Sequence, residues 1–235
     1  MVKEREFLAL RKVLMFSSLS REHLHLLSSV ASIREYPKNH TVLASGDMSD
    51  SLYIILSGSV KVGIVDQDGK EVILSFLNAG DVFGEMALID DNPRSADIVT
   101  RDACEMLVIE KHNFIRCLEK SSDLAMQIMR NLVKKLRDAD RKIESLALVN
   151  VYGRVAQALL EMAEKEEGCE RVINKKLSRA DLARLVGASR EMVTRVMSDL
   201  TEGGYISIQG KTIALHAKLA TYAHEIGRAQ KNRSL

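Results

Sequence analysis

Residues 122–149 read SDLAMQIMRNLVKKLRDADRKIESLALV, 28 positions with neither Gly nor Pro. Apolar side chains fall at Ile128, Leu132, Leu136, Ala139, Ile143 and Leu146, in steps of 4, 4, 3, 4 and 3. That spacing predicts one helix about 42 Å long, at ~1.5 Å per residue, with an apolar seam of period close to 3.5. Its other side carries Arg130, Lys134, Lys135, Arg137, Asp138, Arg141 and Lys142, which suits water. Two readings are open: a seam between two parallel copies of the chain, or one amphipathic helix lying on its own domain. The narrowness and regularity of the stripe favour the first.

The chain on either side differs in character. Between Thr41 and Glu110 there are 4 Lys/Arg against 13 Asp/Glu, whereas Arg171 to Leu235 carries 12 against 5. An acidic front and a basic back direct any polyanion to the back half. At 235 residues the chain is long enough for two domains, and 46% hydrophobic with 28% charged residues excludes a disordered composition. Cys104, Cys117 and Cys169 are odd in number and far apart, with no CxxC pair, which argues against a zinc ribbon or a disulfide framework. The N-terminus MVKEREFLALRK is charged throughout, unlike a signal peptide, and no apolar run reaches the ~18 residues that cross a membrane. The expectation is a soluble, cytoplasmic protein.

From Ser32 to Glu110 the apolar period is two. The runs LYIILSG (52–58), SVKVGIV (59–65) and EVILSFL (71–77) are separated by Gly46, Gly58, Gly69 and Gly80, spaced 12, 11 and 11 apart. Short strands with turn signals at that interval predict an antiparallel roll or sandwich. Helical spacing over Glu4–Phe16 and Ser20–Ser29 places two covering helices ahead of it. The stretch GDVFGEMALIDDNPRSA (80–96) breaks the alternation. Arg94, a rare cation here, has two explanations. It holds an anion together with Ser95 Oγ and the backbone N–H groups of a turn at Gly84, with Glu85 accepting from a neighbouring hydroxyl; or it pairs with a local carboxylate and stitches two loops.

Behind the long helix, Val151–Lys165 is helical in pattern, and 164–176 is a polar loop with a short strand at Arg171–Ile173. Residues 178–200, SRADLARLVGASREMVTRVMSDL, form two short helices with Gly187 at the turn. Leu182, Ala183 and Val186 face Val193, Val196 and Leu200, and Ser189 caps the second helix. Arg190, Glu191, Thr194, Arg195 and Ser198 point outward, where Arg matches guanine O6/N7 and Glu matches cytosine N4 in a major groove. YISIQGKTIALH (205–216) is a hairpin turning at Gln209-Gly210, the wing of a winged helix.

Gly84-Glu85-Met86-Ala87-Leu88 with Pro93-Arg94-Ser95-Ala96 resembles the phosphate-binding cassette of cyclic-nucleotide-binding domains, including a Glu-to-Arg spacing of nine. The resemblance implies that Arg94 and Ser95 hold a cyclic phosphate and Glu85 binds the ribose 2′-hydroxyl. It also implies backbone contacts from Gly84, Met86 and Ala87. Residues 189–195 (SREMVTR), 210–213 (GKTI) and Val151-Tyr152-Gly153-Arg154-Val155-Ala156 with Leu159-Leu160 closely resemble the CRP/FNR family of transcription regulators. This similarity spans roughly Ser20 to His216. It implies that Arg190, Glu191 and Arg195 read bases, beside Ser189 and Thr194, while Ser178, Arg179 and Lys211 contact phosphates. It further implies a homodimer on a palindromic TGTGA-like operator in double-stranded DNA, with RNA polymerase as a partner.

The chain departs from the cAMP-responsive members at two positions. Hydroxyl residues that contact adenine there, one of them across the dimer, are replaced by Ala139 and Asp140; Asp140 is an acceptor for an amino proton of adenine or guanine. Some members respond to cyclic di-GMP with Arg-x-x-Asp pairs, and Arg94/Asp97 and Arg137/Asp140 have that form. The expected architecture is therefore α+β: an antiparallel β-roll of the cyclic-nucleotide-binding fold (1–121), a dimerisation helix (122–149) and a winged helix-turn-helix with a C-terminal helical extension (150–235). The dimer seam is Ile128, Leu132, Leu136, Ala139, Ile143 and Leu146. The effector is cAMP or another cyclic nucleotide, cyclic di-GMP included; the alternative is the same DNA-binding regulator responding to no nucleotide. No metal, haem, iron–sulfur cluster, membrane or enzymatic activity is expected, since no nucleophile–base pair and no N-terminal cysteine cluster occur.

Overall fold

The structure, a computed structural model, describes residues 4–13, 16, 19–165, 171–174 and 177–223. They belong to two compact units, Met1–Leu136 and Arg137–Leu235.

In the first unit, α1 (Glu4–Lys12) and α2 (Arg21–Val30) precede the strands. Ser20 caps α2 by accepting the His23 N–H at 3.2 Å. Eight strands follow: β1 (Ser32–Tyr36), β2 (Thr41–Leu43), β3 (Ser51–Ser57), β4 (Ser59–Val65), β5 (Glu71–Asn78), β6 (Val82–Phe83), β7 (Asp97–Thr100) and β8 (Cys104–Glu110). They make two antiparallel sheets, β1-β8-β3-β6 and β2-β7-β4-β5. The unbroken apolar runs in β3 and β8 arise because both faces of these strands are covered. Leu52, Ile54, Leu107 and Ile109 face a core shared with α1, α2, α4 (Lys111–Lys120) and the start of α5 (Ser122–Leu148). Tyr53, Ile55, Met106 and Val108 alternate to the roll interior, with Val60, Phe83 and Ile98. The short helix α3 (Glu85–Asp90) lies between β6 and β7.

The second unit contains the end of α5, then α6 (Val151–Met162), β9 (Glu164–Lys165), β10 (Arg171–Ile173), α7 (Arg179–Val186), α8 (Arg190–Glu202), β11 (Ile206–Gln209) and β12 (Thr212–Leu215). The helical pattern over Val151–Lys165 stops at Met162, because Glu164 and Lys165 pair antiparallel with Val172 and Arg171. The strand at Arg171–Ile173 is present, and β12 bonds to both β10 and β11, so the wing belongs to a four-stranded sheet, β11-β12-β10-β9. One core joins Val155, Leu159, Leu182, Val193, Val196, Leu200, Ile213 and Leu215. Residues 218–223 are helical, and Leu219 and Ala223 pack into that core. The rest of the C-terminal extension, Ile226 included, and Cys169 lie outside the described residues.

The long helix forms without interruption, but its seam divides. Ile128 is only 3% exposed, buried in the core of its own roll, and Leu132 packs against the same core. Leu136 and Ile143, at 63% and 66%, are exposed, as are Ala139 and Leu146. The steps of four explain the split. Each turns the side chain ~40° beyond a full circle, so Ile128 lies about 80° round from Leu136. Met129, Leu136 and Ile143 are seven apart and share one exposed line, flanked by Met126 and Val133. Ile128 and Leu132 therefore pack against the core of the roll, and the exposed apolar line of the helix includes Met126, Met129 and Val133. Among the described residues no helix is long and apolar enough to cross a membrane, and no His/Cys/Asp/Glu group could hold a metal.

Candidate ligand cassette and nucleic-acid interface

The cassette is built where β6 ends. Gly84 has φ +86°, a left-handed conformation, and a Cβ there would sit 2.9 Å from both Arg94 Nη1 and Ser51 O. Only glycine allows the backbone to approach the guanidinium this closely. Arg94, 4% exposed, is fixed by donating from Nη1 to Gly84 O (2.5 Å), from Nη2 to Ser51 O (2.7 Å) and from Nε to Ser49 Oγ (2.7 Å). All three acceptors are neutral, so the stitching of loops is real, but no carboxylate bonds to Arg94 among the described residues. Burial pulls its pKa below the usual guanidinium range, opposed by the field of Tyr53, Asp50 and Glu85.

Glu85, 2% exposed, opens α3. Its Oε1 accepts Lys135 Nζ at 2.7 Å, and Lys135 also donates to Val82 O at 3.0 Å. Its Oε2 is buried without a hydrogen-bond partner among the described residues. A buried acceptor left open costs about 1–3 kcal/mol unless something donates to it. The sequence places Lys135 on the water-facing side of the helix; its partners lie 50 and 53 residues away, beyond any local pattern. Ala87 is buried and Met86 and Ser95 are exposed. Ala139 and Asp140 are exposed on the part of α5 that belongs to the second unit. Asp97 Oδ1 accepts the Ser45 N–H at 2.7 Å, so the carboxylate of the Arg94/Asp97 pair already holds a loop.

The Glu85–Lys135 pair gives a first expected result. Lys135→Met leaves a buried carboxylate without its cation and lowers the roll's stability by about 1–3 kcal/mol, less than for a fully buried pair because the lysine is partly exposed. Adding Glu85→Gln restores most of that loss. Equal melting of all three proteins would show that the pair contributes nothing.

In the second unit, Gly187 (φ +62°) turns between α7 and α8. Ser178 Oγ accepts Asp181 N–H and Ser189 Oγ accepts Met192 N–H, so both serines cap their helices. Arg190, Glu191, Thr194, Arg195 and Ser198 are exposed along one side of α8, and Lys211 is exposed at the wing turn. Two details modify the sequence reading. Thr194 Oγ1 donates to Arg190 O at 2.8 Å, which commits its proton to the helix and leaves an acceptor and a methyl for a base edge. Arg179 is half-buried, and burial lowers its pKa, so it is less accessible than Lys211. Met197 joins the α8 core face, a position the sequence reading did not use.

Comparisons agree with this division. Residues 33–121 match the cyclic nucleotide-binding domain, and residues 153–221 match the Crp-like helix-turn-helix domain. The chain is 35% identical over 187 residues to the cAMP-activated global transcriptional regulator CRP of Pasteurella multocida (strain Pm70), covering 78% of this chain and 90% of that one. It is 33% identical over 200 residues to the cAMP-activated global transcriptional regulator Vfr of Pseudomonas aeruginosa, covering 83% and 94%. Among solved structures, the c-di-GMP responsive global regulator CLP of Xanthomonas campestris superposes with a TM-score of 0.72 at 29% identity, covering 84% and 100%.

Proposed function

The chain belongs to the CRP/FNR family of DNA-binding transcription regulators, and on that premise we propose that it works as a homodimer switched by a cyclic mononucleotide of the cAMP type. The observation that carries the effector reading is the pairing of a buried Arg94, bonded among the described residues only to neutral oxygens, with a buried Glu85 Oε2 that has no donor among them. A guanidinium bonded to no carboxylate, beside an open acceptor, suits a ligand bearing one phosphate and an adjacent hydroxyl. Arg94 and Ser95 hold the phosphate, Glu85 takes the 2′-hydroxyl proton, and Gly84, Met86 and Ala87 form the floor. Asp140 accepts an amino proton of the base, beside Ala139.

The exposed line Met129, Leu136 and Ile143 is where two copies meet, with Ala139 and Leu146 beside it. The two α8 helices then read half-sites of a TGTGA-like palindrome about 34–36 Å apart, through Arg190, Glu191 and Arg195, with RNA polymerase as the downstream partner. Cyclic di-GMP is the second reading, favoured by the likeness to CLP and by Asp140.

Calorimetric titration with cAMP, cGMP and cyclic di-GMP tests the effector. Tightest binding of cAMP at one site per chain is the expected outcome; preference for cyclic di-GMP selects the second reading, and silence with all three defeats both.

A further inference from the structure

In the second unit, Lys142 Nζ on α5 donates to Leu185 O at 2.7 Å. Leu185 is in the last turn of α7, where carbonyls have no partner inside the helix and a cation is favourable.

Two further groups hold the same turn. Arg154, in the first turn of α6, donates from Nη2 to Gly187 O (3.3 Å) and from Nη1 to Val149 O (2.9 Å). Leu146 lies so near Gly187 that a Cβ there would be 3.1 Å from Leu146 Cδ2. The turn that precedes the base-reading face is thus gripped by the end of α5 and the start of α6. Burial lowers the Lys142 pKa, with Glu161 of α6 as the opposing charge, as suits an ammonium taken from water to serve a carbonyl.

We propose that Lys142 is a positioning residue that seats the α7–α8 turn on α5, so that the orientation of α8 for base reading depends on the Lys142–Leu185 bond. The inference rests on the assignment of α8 as the DNA-reading helix. It assigns no contact with DNA or nucleotide to Lys142.

The test uses the full chain, with Lys142→Met, which keeps the apolar stem, and Lys142→Arg, which keeps a donor. A duplex carrying the TGTGA palindrome is titrated by fluorescence anisotropy at saturating cAMP, cAMP affinity is measured by calorimetry, and hydrogen exchange is followed at the Ala188 amide, which bonds Ala183 O. Lys142→Met is expected to bind the palindrome about tenfold more weakly, the scale of one charged hydrogen bond, with cAMP affinity unchanged and faster exchange at Ala188. Lys142→Arg is expected to recover both. Wild-type DNA affinity and Ala188 protection in Lys142→Met, or an arginine variant as impaired as the methionine one, would overturn the proposal. Should the native chain fail to bind the palindrome, the DNA-reading assignment fails instead, while the exchange comparison still judges the Lys142 bond.

Discussion

Replacing Arg94 by methionine is expected to weaken cyclic-mononucleotide binding about 100-fold or more, the loss of close to 3 kcal/mol that a buried guanidinium–phosphate pair supplies. The same change should disturb the fold far less, because two contributions oppose. Gly84 O, Ser51 O and Ser49 Oγ lose their donors, which destabilises, but a buried cation that bonds no carboxylate among the described residues leaves the interior, which stabilises. A melting temperature within a few degrees of the native protein, with affinity lost, is the signature. Arg94→Lys should lie between, since one ammonium cannot reach three acceptors in the guanidinium's planar arrangement. Calorimetry decides the matter, and affinity unchanged for cAMP, cGMP and cyclic di-GMP would remove Arg94 from the ligand site.

The second large effect belongs to Arg190. Its side chain is exposed at the start of α8, so Arg190→Ala should leave melting unchanged. Operator affinity should fall by about 1–3 kcal/mol per half-site, and discrimination at one base pair should relax. Competition against duplexes altered at single positions separates a base reader from a phosphate contact. A uniform loss on every duplex, with a shallower salt dependence, would move Arg190 to the phosphate class.

Local signals made much of this legible before any coordinates. The two-helix turn announced itself through Gly187 and Ser189, whose left-handed and capping roles depend only on near neighbours. The roll was visible in its period of two, and the cassette in the interval between Glu85 and Arg94. Contacts set by chain reversal were not. Nothing near Lys135 in sequence points to Val82 and Glu85, and nothing near Lys142 points to Leu185. The division of α5 into inward and outward lines was missed for a related reason: steps of three and four both look helical, and only the packed roll decides which line faces it. Burial of Ile128 and exposure of Met129, adjacent residues of similar polarity, could not be told apart by composition.

The seven-residue interval between Ile128 and Lys135 constrains how this stretch of α5 can change length. Both face the roll, one as an apolar anchor in its core and one as the cation on Glu85 and Val82 O. Deleting one residue between them would swing one about 100° around the rod relative to the other, so that anchor and cation could no longer be seated together. The helix is there a ruler: tolerant of new letters on its wet side, intolerant of a changed count.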